Sequence, residues 1–356
     1  MKRNQSFRFA LLLGGLCIAL SARAQQLPYG TFYRNNWQLV NPAAIDRLLM
    51  SSKEYHPTLQ FTANFRPQWI GTEGAPLTGF FQFEQAPDEQ VYERWPVRWG
   101  GQGFFDKTDI LTTYGFYGNF SREFTFDNTG GKKLRVGITP GLLLRQYDVG
   151  RMRARDGIPN DPVLLSITND PTRLQFDFSA GMFYHKTDAN GGTNYFGFSL
   201  PSALGAQFNP REDVNDYGFK FKMRNFYFVW GKYISNWSDD DGSDLNIEWE
   251  PTIWVRGVGQ GAYSTINPNW RLPVSVDANL RVYFKPTQYT PPKFWIGAGY
   301  GTNRQLSAET GFNITAMDRD AIRQNLQIGL AYNVPTTRSL FQLGQSFEIN
   351  FSWCWD

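Results

Sequence analysis

Apolar and polar residues alternate along most of this chain, and helical periodicity is almost absent. The clearest case is 346–356, where every second residue is apolar: Phe347, Ile349, Phe351, Trp353 and Trp355. Side chains of a β-strand point to opposite faces in turn, so this segment has one apolar face and one polar face that includes Glu348 and Cys354. Such a segment at the end of an exported chain is typical of the closing strand of an outer-membrane β-barrel.

The same alternation predicts thirteen further strands, with a bulge near Asn225 where the pattern slips. The fourteen predicted strands are 57–69, 77–85, 95–105, 110–122, 132–147, 172–187, 193–201, 217–233, 244–256, 272–286, 292–302, 305–316, 322–334 and 344–355. Single-chain bacterial barrels have an even number of strands, and a tilted crossing needs about 9–11 residues. The sequence therefore predicts an all-β, antiparallel transmembrane barrel of about fourteen strands.

The connections between these strands differ in length. Those at 285–292 and 302–305 are short, whereas 148–171, 201–216 and 257–271 are long. Barrels of this kind place short turns on the periplasmic side and long loops outside the cell, so we expect the connections to sort in that way.

The first residues have the pattern of an export signal, with a basic start, an apolar stretch at 9–20 and the small-x-small site Ala22-Arg23-Ala24. We expect a signal peptide at 1–24, a segment at 25–56 that lies in the lumen or on the periplasmic side, and a barrel at 57–356. Lipid attachment at Cys17 is the alternative, although Leu16 directly before it fits such a site poorly.

The charge balance and the cysteine content narrow the class of protein to which this chain can belong. Of the 35 Lys and Arg residues four lie in 1–24, so 31 remain against 32 Asp and Glu, and no broad argument for nucleic-acid binding survives. Only Cys354 remains after Cys17 is removed, so no internal disulfide stabilises the mature chain. Apolar and polar residues also alternate along the strands of a soluble β-sandwich, so the sandwich is an alternative to the barrel.

No catalytic constellation is visible. Neither of the two histidines, His56 and His185, neighbours a nucleophile elbow, and we expect no enzyme activity, cofactor or metal. The acidic run 239–244 has its glycine at the fourth rather than the sixth position of a calcium loop, which favours a hydrated turn over a calcium site. The arginines in 151–155 either bind phosphates or an acidic partner, or are solvated in a loop.

Some polar residues fall on the predicted luminal faces. Lys220, Lys222 and Arg224 form a positive ladder there, which either favours anionic solutes or is neutralised by Glu248, Glu250 and Asp277 from neighbouring strands. By parity His185 shares the luminal face with Asp177, and a solvated histidine is the expectation.

Several motifs together resemble the PorP/SprF family of type IX secretion outer-membrane proteins of Bacteroidetes. An early Asn-Pro-Ala motif is matched by Asn41, Pro42 and the alanines that follow. The most specific run resembles the family's Arg-x-Gln-Trp…Gly-x-Pro-x-Thr signature and comprises Arg66, Gln68, Trp69, Gly71, Gly74, Pro76 and Thr78. The last strand departs slightly, with Ser346-Phe347-Glu348 where Ser-His-Glu is expected.

The resemblance covers nearly the whole mature chain and implies a non-enzymatic, multi-pass protein of the bacterial outer membrane. It implies as partners the membrane lipid, a type IX secreted substrate or adhesin, and periplasmic or peptidoglycan-associated secretion and motility proteins. Its members support export or surface anchoring. The alternative is a diffusion channel or hydrophobic-solute transporter, since a fourteen-strand barrel is only slightly narrower than the 16-strand porins.

The signature also has a structural interpretation. Gly71, Gly74 and Pro76 would form the first hairpin turn, where glycine adopts positive φ and proline fixes its own φ. Trp69 would sit at a membrane boundary, with its ring buried and its N–H wet. Direct contact of these residues with a partner is the alternative.

Overall fold

A computed structural model describes residues 30–44, 59–86, 96–127, 131–152, 172–188, 192–204, 206–207, 221–236, 246–262, 274–285, 292–302, 304–315, 324–337 and 344–355. In this part of the chain the helix Trp37–Val40 is followed by fifteen strands. They are β1 (Leu59–Pro67), β2 (Leu77–Gln85), β3 (Val97–Lys107), β4 (Leu111–Thr125), β5 (Lys132–Tyr147), β6 (Thr172–Thr187), β7 (Thr193–Leu200), β8 (Ala206–Gln207), β9 (Phe221–Asn236), β10 (Asn246–Ala262), β11 (Val274–Lys285), β12 (Phe294–Gly301), β13 (Gln305–Asn313), β14 (Gln324–Pro335) and β15 (Ser346–Trp355). No helix of the described ranges is long and apolar enough to cross a membrane.

Every strand pairs antiparallel with its neighbours, and the sheet closes on itself. β15 pairs with β14 on one side and with β1 on the other, with Phe351 opposite both Ile328 and Ala63. The two-residue strand β8 lies beside β9, so the remaining fourteen strands form the closed barrel. Closure leaves no unpaired sheet edge, which is why an antiparallel barrel is stable in hydrocarbon. The prediction of a fourteen-strand barrel is confirmed, and the β-sandwich alternative is wrong.

Alternation decides which side chains face out. On β15, Phe347, Ile349, Phe351 and Trp353 are between 36% and 51% exposed, whereas their neighbours Ser346, Glu348, Asn350, Ser352 and Cys354 are buried. The side chain of Trp355 lies outside the described part of the structure. The outer face is therefore apolar and the inner face polar, the reverse of a soluble domain.

Two details differ from the sequence prediction. The pairing of β9 with β10 runs in one constant register from Phe221 opposite Ala262 to Asn236 opposite Ile247. On the other side of β9 the register shifts by three residues between Ser199 opposite Tyr227 and Ala206 opposite Met223, so the irregularity near Asn225 lies between β7 and β8 and not within β9. The pairing with β9 also extends β10 to Ala262, six residues beyond the predicted strand. Glycine at 257, 259 and 261 removes side chains from every second position, which weakens the alternation from which strands are read.

The connections do not sort entirely by length. Leu59, the first residue of β1, pairs with the last residues of β2 and β15. The chain therefore turns from β1 into β2 at the opposite end of the barrel, where Pro67 pairs with Leu77. The long connections at 148–171 and 201–220 lie at that opposite end, but so do the three-residue connections 108–110 and 302–304. The expectation that 302–305 lies on the short-turn side is therefore wrong.

Candidate functional site

Residues 30–44 lie inside the barrel. Every residue of this luminal segment is buried except Leu39, which is half-buried. The segment folds as a turn, in which the N–H of Asn35 donates to the carbonyl of Phe32 over 3.0 Å, followed by the four-residue helix Trp37–Val40. Of the two positions expected for the chain before β1, the described part occupies the lumen.

The start of the luminal segment is held by one carboxylate. The N–H groups of Thr31 and Phe32 donate to Glu348 Oε2 and Oε1 of β15 over 2.6 and 3.0 Å. The amide of Asn64 donates to the same carboxylate, and Arg66 Nε lies 3.9 Å from it. Hydrogen bonds to an ionised acceptor are roughly twice as strong as neutral ones, so Glu348 ties the segment to β15 and β1.

Arg34 belongs to a buried network of four charged side chains whose net charge is zero. Its guanidinium lies 3.3 Å from Glu250 and 2.7 Å from Glu309, and Arg281 lies 2.7 Å from the other oxygen of Glu309. All four side chains are almost fully buried. Two positive and two negative groups balance, and removing one would leave an uncompensated buried charge, a change that typically costs about 3–5 kcal/mol.

Glu250 has two further partners on the barrel wall. The hydroxyls of Tyr195 and Tyr283 each donate to it over 2.6 Å. Together with Arg34 these hydroxyls give the buried carboxylate three hydrogen-bond donors, which offset the cost of removing it from water.

The Asn-Pro-Ala motif docks on three barrel strands. Asn41 Nδ2 donates to the carbonyls of Met182 on β6 and Phe198 on β7 over 2.9 and 3.3 Å. Asn41 Oδ1 accepts from the N–H of Ala43 over 2.9 Å. Arg135 of β5 donates to the carbonyl of Ala44 over 3.3 Å. The Nδ2 group of Asn41 thus joins the luminal segment to the wall, while its Oδ1 atom closes a turn within the segment.

Glycines of the wall make room for this motif. A Cβ at Gly137 would collide with the carbonyl of Pro42, and a Cβ at Gly181 would collide with the side chain of Asn41. A Cβ at Gly197 would lie 3.0 Å from Asn41 Nδ2. The absence of a side chain at these positions lets the motif approach the barrel backbone closely.

Aromatic rings pack the centre of the lumen. Tyr33 stacks on Trp254 with ring centroids 4.4 Å apart, and Trp37 contacts Phe183 and Tyr195 edge to face at 5.8 and 6.0 Å. Burial raises the pKa of Tyr33 to about 12, so its hydroxyl stays protonated and available for hydrogen bonding. An apolar cluster of aromatic rings therefore packs the luminal segment against the barrel wall.

The residues of the Arg-x-Gln-Trp signature lie elsewhere, at the end of the barrel that carries the long connections. Gly71 and Gly74 adopt φ of 93° and 71° in the turn between β1 and β2. Trp69 also has a positive φ, of 48°, and is half-buried in that turn. The N–H of Gln68 donates to the carbonyl of Pro76 over 2.9 Å, which closes the turn.

This turn is joined to its surroundings. The N–H of Ile70 donates to the carbonyl of Gln345 over 2.9 Å, just before β15 begins. On the inner side Thr78 Oγ1 donates to Asp106 over 2.5 Å. Of the signature residues, only Arg66 reaches the luminal segment's anchor at Glu348.

Other predicted luminal residues occupy different environments. Asp177 accepts hydrogen bonds from Tyr117 and Ser202 over 2.9 and 2.6 Å. His185 points inward but is only 3% exposed, and neither ring nitrogen has a hydrogen-bond partner among the described residues. The expectation of a solvated histidine is therefore wrong, because packed luminal side chains replace the water.

The predicted positive ladder lies largely outside what the structure describes. This applies to the whole of Lys220 and to the side chains of Lys222 and Arg224, so the ladder stays a prediction. The acids expected to neutralise it have other partners: Glu248 lies 3.7 Å from Lys285, Asp277 pairs with Arg256, and Glu250 pairs with Arg34.

The remaining candidates give no chemical site. The acidic run 239–244 lies outside the described residues, as do two of the three arginines in 151–155, whereas Arg151 forms exposed ion pairs with Asp109 and Asp148 at 3.4 and 3.5 Å. Cys354 is buried on the inner face. Within the described ranges, no group of three His, Cys, Asp or Glu residues could hold a metal ion.

Several key residues were not singled out from the sequence. Arg34 and Glu309 are isolated charges in otherwise unremarkable segments, and Gly181 sits in an ordinary alternating strand. Arg34 carried a weak signal, since it is a lone basic residue within an aromatic-rich stretch ahead of β1. Their pairing depends on contacts between residues more than two hundred positions apart, which no local pattern encodes.

A closed barrel with an apolar outer face, a polar inner face and a chain segment packed in its lumen defines an outer-membrane β-barrel protein. Residues 22–353 match the family model described as type IX secretion system membrane protein PorP/SprF. The chain belongs to this family, as the motifs around Asn41 and Trp69 indicated.

Two solved structures match the chain at low sequence identity. A Pseudomonas aeruginosa FadL homologue is 10% identical with a TM-score of 0.45, covering 94% of this chain and 96% of that one. The Ralstonia pickettii toluene transporter TbuX is 10% identical with a TM-score of 0.44, covering 95% and 96%. No curated protein matches the chain.

Proposed function

We propose that this protein is a non-enzymatic barrel that supports the export, the cell-surface anchoring, or both, of particular type IX partner proteins such as adhesins. Membership of the PorP/SprF family supports the secretion role. The observation that carries the anchoring role is the luminal segment, which Glu348, Arg34 and Asn41 hold across the barrel interior.

A filled lumen favours an anchor over a diffusion channel. Water-filled porins need an open interior lined by solvated side chains. Here the inward side chains around the luminal segment are buried on strands from all parts of the barrel, including Thr62, Arg135, Glu250 and Glu348. The barrel then acts as a rigid membrane support whose ends carry the contacts with other proteins.

The two ends suit different partners. The connections 148–171 and 201–220 are the longest, and outer-membrane barrels carry their long loops on the extracellular side. We therefore assign the exported protein to the end that carries the Trp69 turn. Periplasmic or peptidoglycan-associated components of the secretion or motility machinery would contact the opposite end.

Deletion of the gene tests this proposal. We expect one or a few surface proteins to be lost from the envelope or released into the medium, as read by mass spectrometry of both fractions. Reintroduction of the wild-type gene serves as the control and should restore them. An unchanged surface proteome and an unchanged medium would sink the proposal.

A further inference from the structure

A basic row of three lysines and one asparagine crosses the outer face of the barrel, at the end opposite the long connections. Lys132 is the first residue of β5 and lies directly opposite Lys186 of β6. Asn194 of β7 lies opposite Lys186, and Lys232 of β9 lies opposite Asn194. The residues next to them along their strands, such as His185, are buried in the lumen, so alternation places the basic row on the outer face.

The lysines of the basic row repel one another. Side chains directly opposite on neighbouring strands have Cβ atoms about 4.5–5.5 Å apart, and like charges at such positions are destabilising. Lys132 and Lys186 are such a pair. Neighbouring strands lie about 4.8 Å apart, so the row from Lys132 to Lys232 spans roughly 14 Å and holds three ammonium groups. An anion that lies along the row would relieve this repulsion.

Nearby acids neutralise the basic row only in part. Asp188 lies 3.1 Å from Lys186, but the two side chains are 43% and 46% exposed, and ion pairs so exposed contribute little. Asp127 accepts a hydrogen bond from the backbone N–H of Lys132 over 3.0 Å. Arg122, exposed on the outer face of β4, adds a further positive charge. The described charges around the row therefore leave it positive.

A mainly aromatic row borders the basic row on the side of the membrane centre. It consists of Leu134, Tyr184, Phe196 and Trp230, each directly opposite the next. Each lies two positions from the basic row on its own strand, a distance of roughly 6.6 Å, and therefore shares its outward direction. Because Tyr and Trp are enriched where a membrane meets water, the basic row lies just outside the apolar band, at the depth of the lipid head groups.

The basic row is confined to one part of the barrel. On β11, β12 and β13 the matching outward positions are Phe284, Phe294 and Phe312, which lie opposite one another. The rings of Phe284 and Phe294 stack with centroids 4.2 Å apart. In the described strands β1–β3 and β10–β15, no outward residue among the last four at this end is lysine or arginine. Positive charge at this membrane boundary is therefore local to β4–β9.

We propose that the outer face of β5–β9 at this end binds an anionic phospholipid. The head-group phosphate lies against Lys132, Lys186 and Lys232, the amide of Asn194 donates to it, and the acyl chains cover the aromatic row. With the orientation assigned above, the lipid belongs to the periplasmic leaflet. The site is separate from the proposed export and anchoring role, because it requires only that the barrel spans the membrane.

Competition between two lipids tests the site. We would incubate the purified full chain, in a non-ionic detergent, with equal amounts of phosphatidylglycerol and phosphatidylcholine of the same acyl chains, and count the retained lipids by native mass spectrometry. A lysine near an anionic lipid surface favours binding roughly fivefold, so phosphatidylglycerol should be retained at least about tenfold more than phosphatidylcholine. Equal retention of the two lipids would overturn the proposal.

Lys132→Gln combined with Lys186→Gln removes the opposed pair and should abolish most of this preference. The matched control is Lys107→Gln combined with Arg304→Gln, which removes the same charge from exposed positions at the other end of the barrel and should leave the preference intact. Heat-modified mobility shows that both variants assemble. An unaltered preference in the first variant, or an equal loss in both, contradicts the location of the site.

Photocrosslinking of the wild-type protein keeps the test decisive if the lysine variant fails to assemble. Phosphatidylglycerol with a diazirine in one acyl chain should label peptides from β5–β9, and labels spread evenly around the barrel, or centred on Phe284 and Phe294, would reject the site. Excess inorganic phosphate should leave the labelling unchanged, because the acyl chains also hold the lipid. Loss of labelling in phosphate would instead identify a site for the free anion and contradict lipid binding.

Discussion

The carboxylate of Glu348 on β15 accepts a 2.6 Å hydrogen bond from the backbone N–H of Thr31, a residue that precedes the first strand by nearly thirty positions. The last strand of the barrel therefore serves two purposes. Its outward row of Phe347, Ile349, Phe351 and Trp353 meets lipid, and its inward Glu348 fixes the segment that fills the lumen.

Glu348→Ala should loosen the luminal segment. The change removes the acceptor for two backbone N–H groups, and hydrogen bonds to charged groups contribute about 1.5–3 kcal/mol each. We expect a lower thermal midpoint in detergent and faster proteolysis near Thr31. The control Glu73→Ala, in the exposed β1–β2 turn, should behave as wild type. Identical proteolysis of the two variants would show that Glu348 does not hold the segment.

Arg34 and Glu309 should be energetically coupled. Arg34→Met leaves Glu309 without one of its two arginine partners and should destabilise the protein by roughly 3–5 kcal/mol. The double change Arg34→Met with Glu309→Gln should cost less than the sum of the single changes, because the charge left unpaired is removed too. Denaturant unfolding of the four proteins measures this. Strict additivity would mean that the 2.7 Å contact has no energetic significance.

A methyl group at Gly181 should disturb the docking of Asn41. The new Cβ collides with the asparagine side chain, and inserting atoms into a packed interior typically costs about 1–3 kcal/mol. Gly118→Ala on β4 is the matched control, since nothing lies within 4 Å of a Cβ built there. Heat-modified mobility on gels compares the two. A Gly181→Ala barrel as heat-resistant as Gly118→Ala would argue against close docking of the motif.

Phe351→Arg should impair assembly. Phe351 is exposed on the outer face at the middle of β15, and a basic residue near the membrane midplane costs about 2–4 kcal/mol. Phe347→Arg, closer to the strand end, should cost less, because the penalty falls to about 0–1 kcal/mol near the interface. Outer-membrane fractionation measures assembly of both. Normal assembly of Phe351→Arg would be incompatible with a lipid-facing position.

The barrel was predictable because its signal is local and repeated. Alternation identified each of the fourteen barrel strands and assigned Glu348 and Phe351 to opposite faces of the last one. It failed where glycines removed the signal after Gly257, and it placed in β9 an irregularity near Asn225 that lies between β7 and β8.

The luminal site was less predictable because it depends on distant pairs. The Asn-Pro-Ala motif pointed to Asn41, but nothing local indicates that its amide would span β6 and β7. No sequence motif surrounds Arg34, Arg281 or Glu309, and these residues form ion pairs only because the folded barrel brings them together. The signal peptide at 1–24 stays a prediction, since it lies outside the described residues.

The most direct test of the account is the conductance of the purified barrel in a planar lipid bilayer. The wild-type protein should be electrically silent, because residues 30–44 fill its interior. A variant that lacks 30–44 should pass a steady current if it assembles, and heat-modified mobility shows whether it does. A steady open current through the wild-type protein would contradict the account and restore the diffusion-channel alternative.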